Sequence, residues 1–171
     1  EKSTGWQIGL GRSFFGETID AKFTYFNEKL ENEINGFVSI GGGLFSAENI
    51  DGTSRRKGFE TEISLVLPFN FKIYSSYTYI DSTELNQSIN RRLDEIRRPN
   101  HQASLFADWS TSDKRLSLSS SLSYSGSFID TDFSTFPSVR EDMEAYTLVG
   151  LNGSYLITDK IKTFFKIENI L

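Results

Sequence analysis

The chain has 171 residues, of which 37% are hydrophobic and 14% aromatic; it carries a net charge of −5 and has no cysteine. A Cys-based zinc site and a disulfide framework are therefore excluded, and the acidic balance argues against nucleic acid as a partner, since neutralising phosphates needs a basic surface. No run of about 18 apolar residues occurs, so any crossing of a membrane would have to be made by strands rather than a helix.

Period-2 alternation recurs from end to end and predicts strands throughout. In "GWQIGLGRSF", Trp6, Ile8 and Leu10 share one face while Gln7, Gly9 and Gly11 share the other. In "TIDAKFTYF", Ile19, Ala21, Phe23 and Tyr25 oppose Asp20, Lys22 and Thr24, with only "FGE" joining the two segments. The stretch "KGFETEISLVLPFNFKIYSSYTYID" holds the third and fourth strands. Phe59, Ile63, Leu65 and Leu67 alternate with Gly58, Glu60, Glu62 and Ser64, Pro68-Phe69-Asn70 turns the chain, and Phe71, Ile73, Tyr77 and Tyr79 resume the beat. The fifth strand, "HQASLFADW", carries Ala103, Leu105, Ala107 and Trp109, and "TSDK" leads to the sixth, where Leu116, Leu118, Leu122 and Tyr124 alternate with serines. The seventh carries Val149, Leu151, Tyr155 and Ile157; after "TDK" the eighth carries Ile161, Phe165, Ile167 and Leu171.

The links alternate in length. "FGE", "PFN", "TSDK" and "TDK" are tight, whereas Asn27–Arg56, Ser82–Pro99 and Gly126–Ala145 are long. All short links then fall on one rim and all long ones on the other, which is the pattern of an outer-membrane barrel. Aromatics mark both rims: Phe14, Phe15, Phe69, Phe71, Trp109 and Tyr155 lie by the short turns, and Trp6, Tyr25, Tyr77, Tyr79, Tyr124 and Tyr146 toward the long loops. The fold class predicted is all-β, an antiparallel up-and-down transmembrane β-barrel of which this chain is a part, about eight strands of about ten residues.

The stretches "EKSTGWQIGL", "AKFTYFNEKLENEI", "SRRKGFETEI", "YSSYTYIDS", "RRPNHQASLFADW" and "LNGSYLITDKIKTFFKIENIL", in that order, resemble the C-terminal part of the β-barrel of TonB-dependent outer-membrane receptors, in particular the cobalamin and siderophore branch. The resemblance spans nearly the whole of residues 1–171. It implies a barrel of about 22 strands filled by a separate plug domain, and uptake of a scarce nutrient complex driven from the inner membrane through TonB. It also implies a closing strand after "ENIL", so that plug and closing strand are both expected outside this segment. Gln7 departs from the Glu often found there in the family.

The polar face carries Asp20, Lys22, Glu60, Glu62, Lys72 and Asp108, expected to wet a lumen or grip the plug. His101 is the single histidine and shares parity with Ala103 and Leu105, so it points outward; no catalytic set is expected, and no cofactor. The basic residues Arg55, Arg56, Arg91, Arg92, Arg97 and Arg98 gather at the long-loop rim, where they could meet an anionic ligand or the phosphates of lipopolysaccharide. Asp130 and Asp132, with Glu141 and Asp142 further on, supply carboxylates but few of the six or more donors a Ca²⁺ site needs. Gly41–Gly43 reads as a flexible loop element. The expected partners are outer-membrane lipid and lipopolysaccharide, the receptor's own plug, TonB indirectly, and a small-molecule nutrient complex. Two other readings stay open: a small complete eight-stranded barrel with a structural or adhesive role, and a soluble β-sandwich or solenoid binding module.

Overall fold

The computed structural model describes residues 1–49, 52–86, 89–135 and 137–170. In chain order the strands are β1 (Lys2–Phe14), β2 (Ile19–Glu31), β3 (Ile34–Gly41), β4 (Leu44–Asn49), β5 (Thr53–Leu67), β6 (Phe71–Asn86) and β7 (Arg91–Asp94), followed by β8 (His101–Ser110), β9 (Leu116–Ser125), β10 (Phe128–Asp132), β11 (Val139–Met143), β12 (Tyr146–Thr158) and β13 (Ile161–Ile167). One sheet runs β1-β2-β5-β6-β8-β9-β12-β13, with β7 paired to the end of β6; β3-β4 and β10-β11 are separate hairpins. Every pairing in the main sheet is antiparallel.

The eight alternating segments thus become the eight strands of a meander, joined by tight turns on one rim and by long connections on the other. Two features differ from the expectation. The strands run further toward the long-loop rim than ten residues, β2 to Glu31 and β6 to Asn86, because their ladders continue in register as far as Glu31↔Thr53 and Ser54↔Glu84. The long connections are themselves built, holding two hairpins and β7. Gly41, Gly42 and Gly43 make the β3-β4 turn, all at φ between 63° and 91°, where only glycine sits without strain. At the other end β13 stops at Ile167, with Asn169 at φ 56° breaking the alternation; Leu171 lies outside the described residues.

The tight turns also rely on positive φ. Phe69 and Asn70 lie at φ 64° and 59° and let β5 double back onto β6 with Leu67 opposite Phe71. At the β8-β9 turn, Asp113 accepts hydrogen bonds from the Thr111 hydroxyl (2.6 Å) and the Arg115 amide (3.1 Å), closing the link that "TSDK" announced.

Register sorts the side chains onto two faces, because directly opposed residues point the same way. One line across the sheet joins Ile8, Tyr25, Phe59, Tyr79 and His101; another joins Ile73, Ala107, Ser120 and Leu151. Apart from Ser120, these are apolar or aromatic. The opposite face carries lines such as Gly9–Thr24–Glu60–Thr78–Gln102 and Lys72–Asp108–Ser119–Asn152. Among the described residues neither face is covered by another layer. Among the described residues Leu30 alone is a buried hydrophobic, at 5% exposure, while Ile8 and Leu10 stand 64% and 77% exposed. Among the described residues no second sheet meets the apolar face, unlike in a β-sandwich. The β1 and β13 edges do not pair with each other, so this sheet is an open stretch of wall rather than a closed eight-stranded barrel.

Candidate functional site: the polar face and its long-loop rim

The aromatic rows come first because they fix the depth of everything else. Toward the long loops, rings touch across five strands. Trp6 lies 5.5 Å from Tyr25, Phe23 5.7 Å from Phe59, Phe59 5.7 Å from Tyr79, and Tyr79 5.2 Å from His101. His101 points outward as its parity required, and its Nδ1 is 2.7 Å from the Tyr77 hydroxyl. Tyr124 joins this row opposite Ala103, but Tyr146 does not: it opposes Ser125, three residues from Val149, and an odd offset on an unbulged strand turns it to the polar face. On the tight-turn rim, Phe71 pairs with Trp109 and Phe14 with Ile19; the guanidinium of Arg12 sits 5.0 Å from the Phe14 ring. Phe15 and Phe69 project from the turns, Phe69 at 87% exposure.

Between the rows, the polar face holds a depression of about 610 Å³ lined by Asp20, Lys22, Glu62, Tyr74, Ser76 and Phe106. Lys22 Nζ and Glu62 Oε1 are 3.0 Å apart across β2-β5, and the Ser76 and Ser104 hydroxyls are 2.8 Å apart across β6-β8. Tyr74 and Phe106, directly opposed, bring two rings onto this otherwise polar wall. The period-2 pattern did not single them out, since each breaks the apolar-out rule of its own strand.

Above the aromatic row the rim is a charge network on the polar face. The Arg56 guanidinium donates through Nε to Glu95 Oε2 (2.9 Å) and through Nη2 to Glu33 Oε1 (2.8 Å) and to Glu95 Oε1. Ser82 also donates to Glu95, Ser54 donates to Glu33, and Arg98 approaches Glu95 at 3.5 Å. The Arg56 and Glu95 side chains are only 13% and 9% exposed. Burial alone would push the Glu95 carboxyl up, but the bonds from Arg56 and Ser82 and the charges of Arg56 and Arg98 outweigh it and hold the group below its ordinary value. Arg140, from β11, reaches Glu84 at 3.0 Å and the backbone carbonyl of Asp94. Arg97 reaches Asp130 at 2.8 Å and bonds the Ile129 carbonyl through its own amide at 2.7 Å. The Asp130 carboxyl is lowered by the Thr131 amide and by Arg97. One arginine on β5 thus joins the first two long connections, and two further arginines join the second to the third.

The predicted rim residues therefore have distinct fates. Arg56, Arg97 and Arg98 are paired within the chain, and so is Asp130. Asp132 accepts from the Ser134 amide (2.7 Å) and hydroxyl (2.9 Å), shaping its own turn. Arg91 is exposed at the start of β7, and Arg55 and Arg92 lie on the opposite, apolar-side face. Among the described residues no group of three His, Asp or Glu side chains is placed to hold a metal ion, and Glu141 faces Asp130 only across the β10-β11 ladder. Sequence reasoning missed Glu33, Glu84, Glu95 and Arg140, the partners in this network. Their signal was opposite charge within long links, which says that pairs form but not which.

The family model for TonB-dependent receptor-like β-barrels matches residues 1–170. The chain belongs to the TonB-dependent receptor β-barrel family. Solved structures agree on the fold. FpvA of P. aeruginosa bound to heterologous pyoverdines superposes with a TM-score of 0.72 at 19% identity, over 98% of this chain and 23% of that one. The ferric-catecholate import receptor Fiu of E. coli gives 0.68 at 18% identity, over 98% and 23%. A mutant of the ferric enterobactin receptor PfeA of P. aeruginosa, in complex with enterobactin, gives 0.70 at 20% identity, over 99% and 26%. No curated protein sequence matches the chain. This segment of a TonB-dependent receptor barrel thus spans about a quarter of the matched structures. β1 and β13 are the two edges of its sheet.

Proposed function

We propose that this chain forms part of the barrel wall of an outer-membrane receptor that imports a small, scarce nutrient complex, in the manner of a ferric siderophore, with energy delivered through TonB. The observation that carries the reading is a one-layer sheet whose apolar face is bare, bounded at both rims by aromatic rows, with a polar face behind it. A bare apolar face about nine residues tall, from Phe71 to Tyr79, fits the hydrocarbon thickness that a tilted strand must cross. Phe15 and Phe69 at the turns then meet the inner interface, which accounts for large rings held at positive φ in full exposure. The polar face, with its Lys22–Glu62 pair and serine-lined strands, would meet a plug domain supplied by the rest of the receptor. The long connections, tied by Arg56, Arg97 and Arg140, would form one outer cap over the entrance, and lipopolysaccharide would surround the outer rim.

A siderophore complex is favoured over cobalamin because the matched structures are siderophore receptors. The test is uptake of ⁵⁵Fe-labelled siderophores by iron-starved cells expressing the whole receptor, with and without TonB. Uptake that needs both supports the reading. Wild-type accumulation of every siderophore in cells lacking the receptor, together with radiolabelled cobalamin import that needs it, would replace iron with cobalamin as the cargo.

A further inference from the structure

We propose that, within the outer cap, the segment following β7 and the β10-β11 hairpin open and close as one lid, released from the wall at Arg56 and Glu84, while the first long connection stays behind. The coupling rests on contacts within the chain; that the lid covers the entrance of a receptor rests on the outer-membrane reading.

The hairpin's ties divide unevenly. Among the described residues β10-β11 pairs with no strand of the main sheet, so side chains and single backbone bonds decide what it moves with. The Arg97 amide donates to the Ile129 carbonyl (2.7 Å), the Arg97 guanidinium to Asp130 (2.8 Å), and Arg140 to the Asp94 carbonyl. These run to the second connection. To the wall run the Arg140–Glu84 bond at 3.0 Å and, at the base, the Gly126 amide to the His101 carbonyl at 2.8 Å. The hairpin therefore follows the second connection and swings about its base. That connection is held to the wall at almost the same point: Asp94 ends β7, and the next residue, Glu95, bonds the Ser82 carbonyl through its amide (3.1 Å) and Arg56 and Ser82 through its carboxylate. Adjacent residues carry the tie to the hairpin and the tie to the wall, so neither is released without disturbing the other.

Burial sets what opening requires. The Arg56 and Glu95 side chains are nearly buried, and parting them would strand the guanidinium without a counter-charge. Glu33 prevents this: its Oε1 is 2.8 Å from the same guanidinium, so Arg56 keeps a carboxylate when Glu95 swings out into water. Glu33 also accepts from Ser54, and Ser54 and Arg56 both belong to β5. The first connection is thereby fastened to the wall rather than to the lid.

The test uses the whole receptor in detergent, with amide exchange at Glu95 and distances between paired spin labels as readouts. Labels are placed through Ser138→Cys on the third connection, Ser46→Cys on the first and Lys160→Cys at the tight-turn rim as the fixed reference; all three positions are exposed. Arg56→Leu removes contacts only to the first two connections. It should nevertheless speed exchange of the Glu95 amide at least about a hundredfold and shift the open-to-closed ratio seen by the 138–160 pair by the same factor. Arg140→Gln should shift both readouts about tenfold, as expected for bonds to a charged group, and leave the 46–160 distance unchanged. Glu33→Ala added to Arg140→Gln should reclose the lid, because the open state then leaves Arg56 unpaired. Heat-modifiable gel mobility confirms that each variant is folded. An unchanged 138–160 distance in Arg56→Leu, with the Glu95 amide released, would overturn the coupling whatever the receptor imports. Movement of the 46 label in Arg140→Gln would overturn the separate hold on the first connection, and further opening in the Glu33→Ala variant would overturn the role of Glu33. Uptake that does not depend on the receptor would overturn only the reading of what the lid covers.

Discussion

Arg56 on β5 and Glu95 in the connection between β7 and β8 form a two-pronged ion pair at the long-loop rim, with Glu33 from the β2–β3 segment accepting from the same guanidinium. A single side chain on β5 therefore anchors two long connections. Removing one partner of a nearly buried pair leaves an uncompensated charge, which costs about 3 kcal/mol or more. Arg56→Leu should release the connection around Glu95 while the ladder below persists. Hydrogen exchange of residues 94–99 should accelerate by at least about a hundredfold on that energy scale, with β6 and β8 amides unchanged; uniform protection in the variant would refute the anchoring role.

The same pair makes the outer cap acid-sensitive. Glu95 has its folded pKa depressed, so its stabilising contribution is complete above the ordinary glutamate value and is lost as pH falls through the depressed folded value. A spin label at exposed Arg91, substituted by cysteine, should become more mobile as the medium is taken from neutral to below the ordinary glutamate range. In Glu95→Gln the part of that step due to Glu95 should vanish, leaving only the smaller one from the Arg97–Asp130 pair.

Gly58 explains why "KGFE" carries a glycine in mid-strand. A Cβ there would sit 2.0 Å from the Tyr79 carbonyl oxygen, 3.0 Å from the Ile80 Cα and 2.9 Å from the Phe26 ring. Two of these obstacles are backbone, so Gly58→Ala must move β6 away from β5, at a cost of about 1–3 kcal/mol for overpacking. Gly153→Ala meets the ends of the Leu118 and Phe165 side chains instead, and should cost less. Urea midpoints of the refolded receptor in detergent should rank the two in that order.

Orientation can be read by placing a charge on each face at one depth. Leu105 lies on the apolar face and Ser104 on the polar one, side by side on β8. Leu105→Arg, near the middle of the span, should destabilise the inserted barrel by about 2–4 kcal/mol, whereas Ser104→Arg should insert normally. Folding yields into lipid vesicles check this; equal yields would place both side chains in water.

Most of the wall was legible in the residues because the signal is local. Alternation of Leu116, Leu118 and Leu122 with serines, or of Phe59 and Ile63 with Glu60 and Glu62, follows from a pleat that turns successive side chains to opposite faces. Tight and long links were readable for a similar reason, since "PFN" and "TDK" leave no room for anything but a turn. Tyr146 shows the limit: its distance from the rim was legible, but its face depends on counting from Val149 without a bulge.

The rim charges were found but not their roles. Arg55 and Arg56 are adjacent in the chain, yet one faces outward toward Thr83 and Arg92 while the other closes on Glu33 and Glu95. Alternation alone could separate their faces; it could not supply Glu95, thirty-nine residues away. By itself the sequence determined the strand pattern, the two-faced alternation and the nearness of aromatics to both rims, because each is set by neighbouring residues; it left open what covers the apolar face. Only the tertiary structure decided which charges meet, because ion pairs across long connections depend on register and loop path, and Coulomb attraction between opposite charges is the same for many pairings until the backbone chooses one.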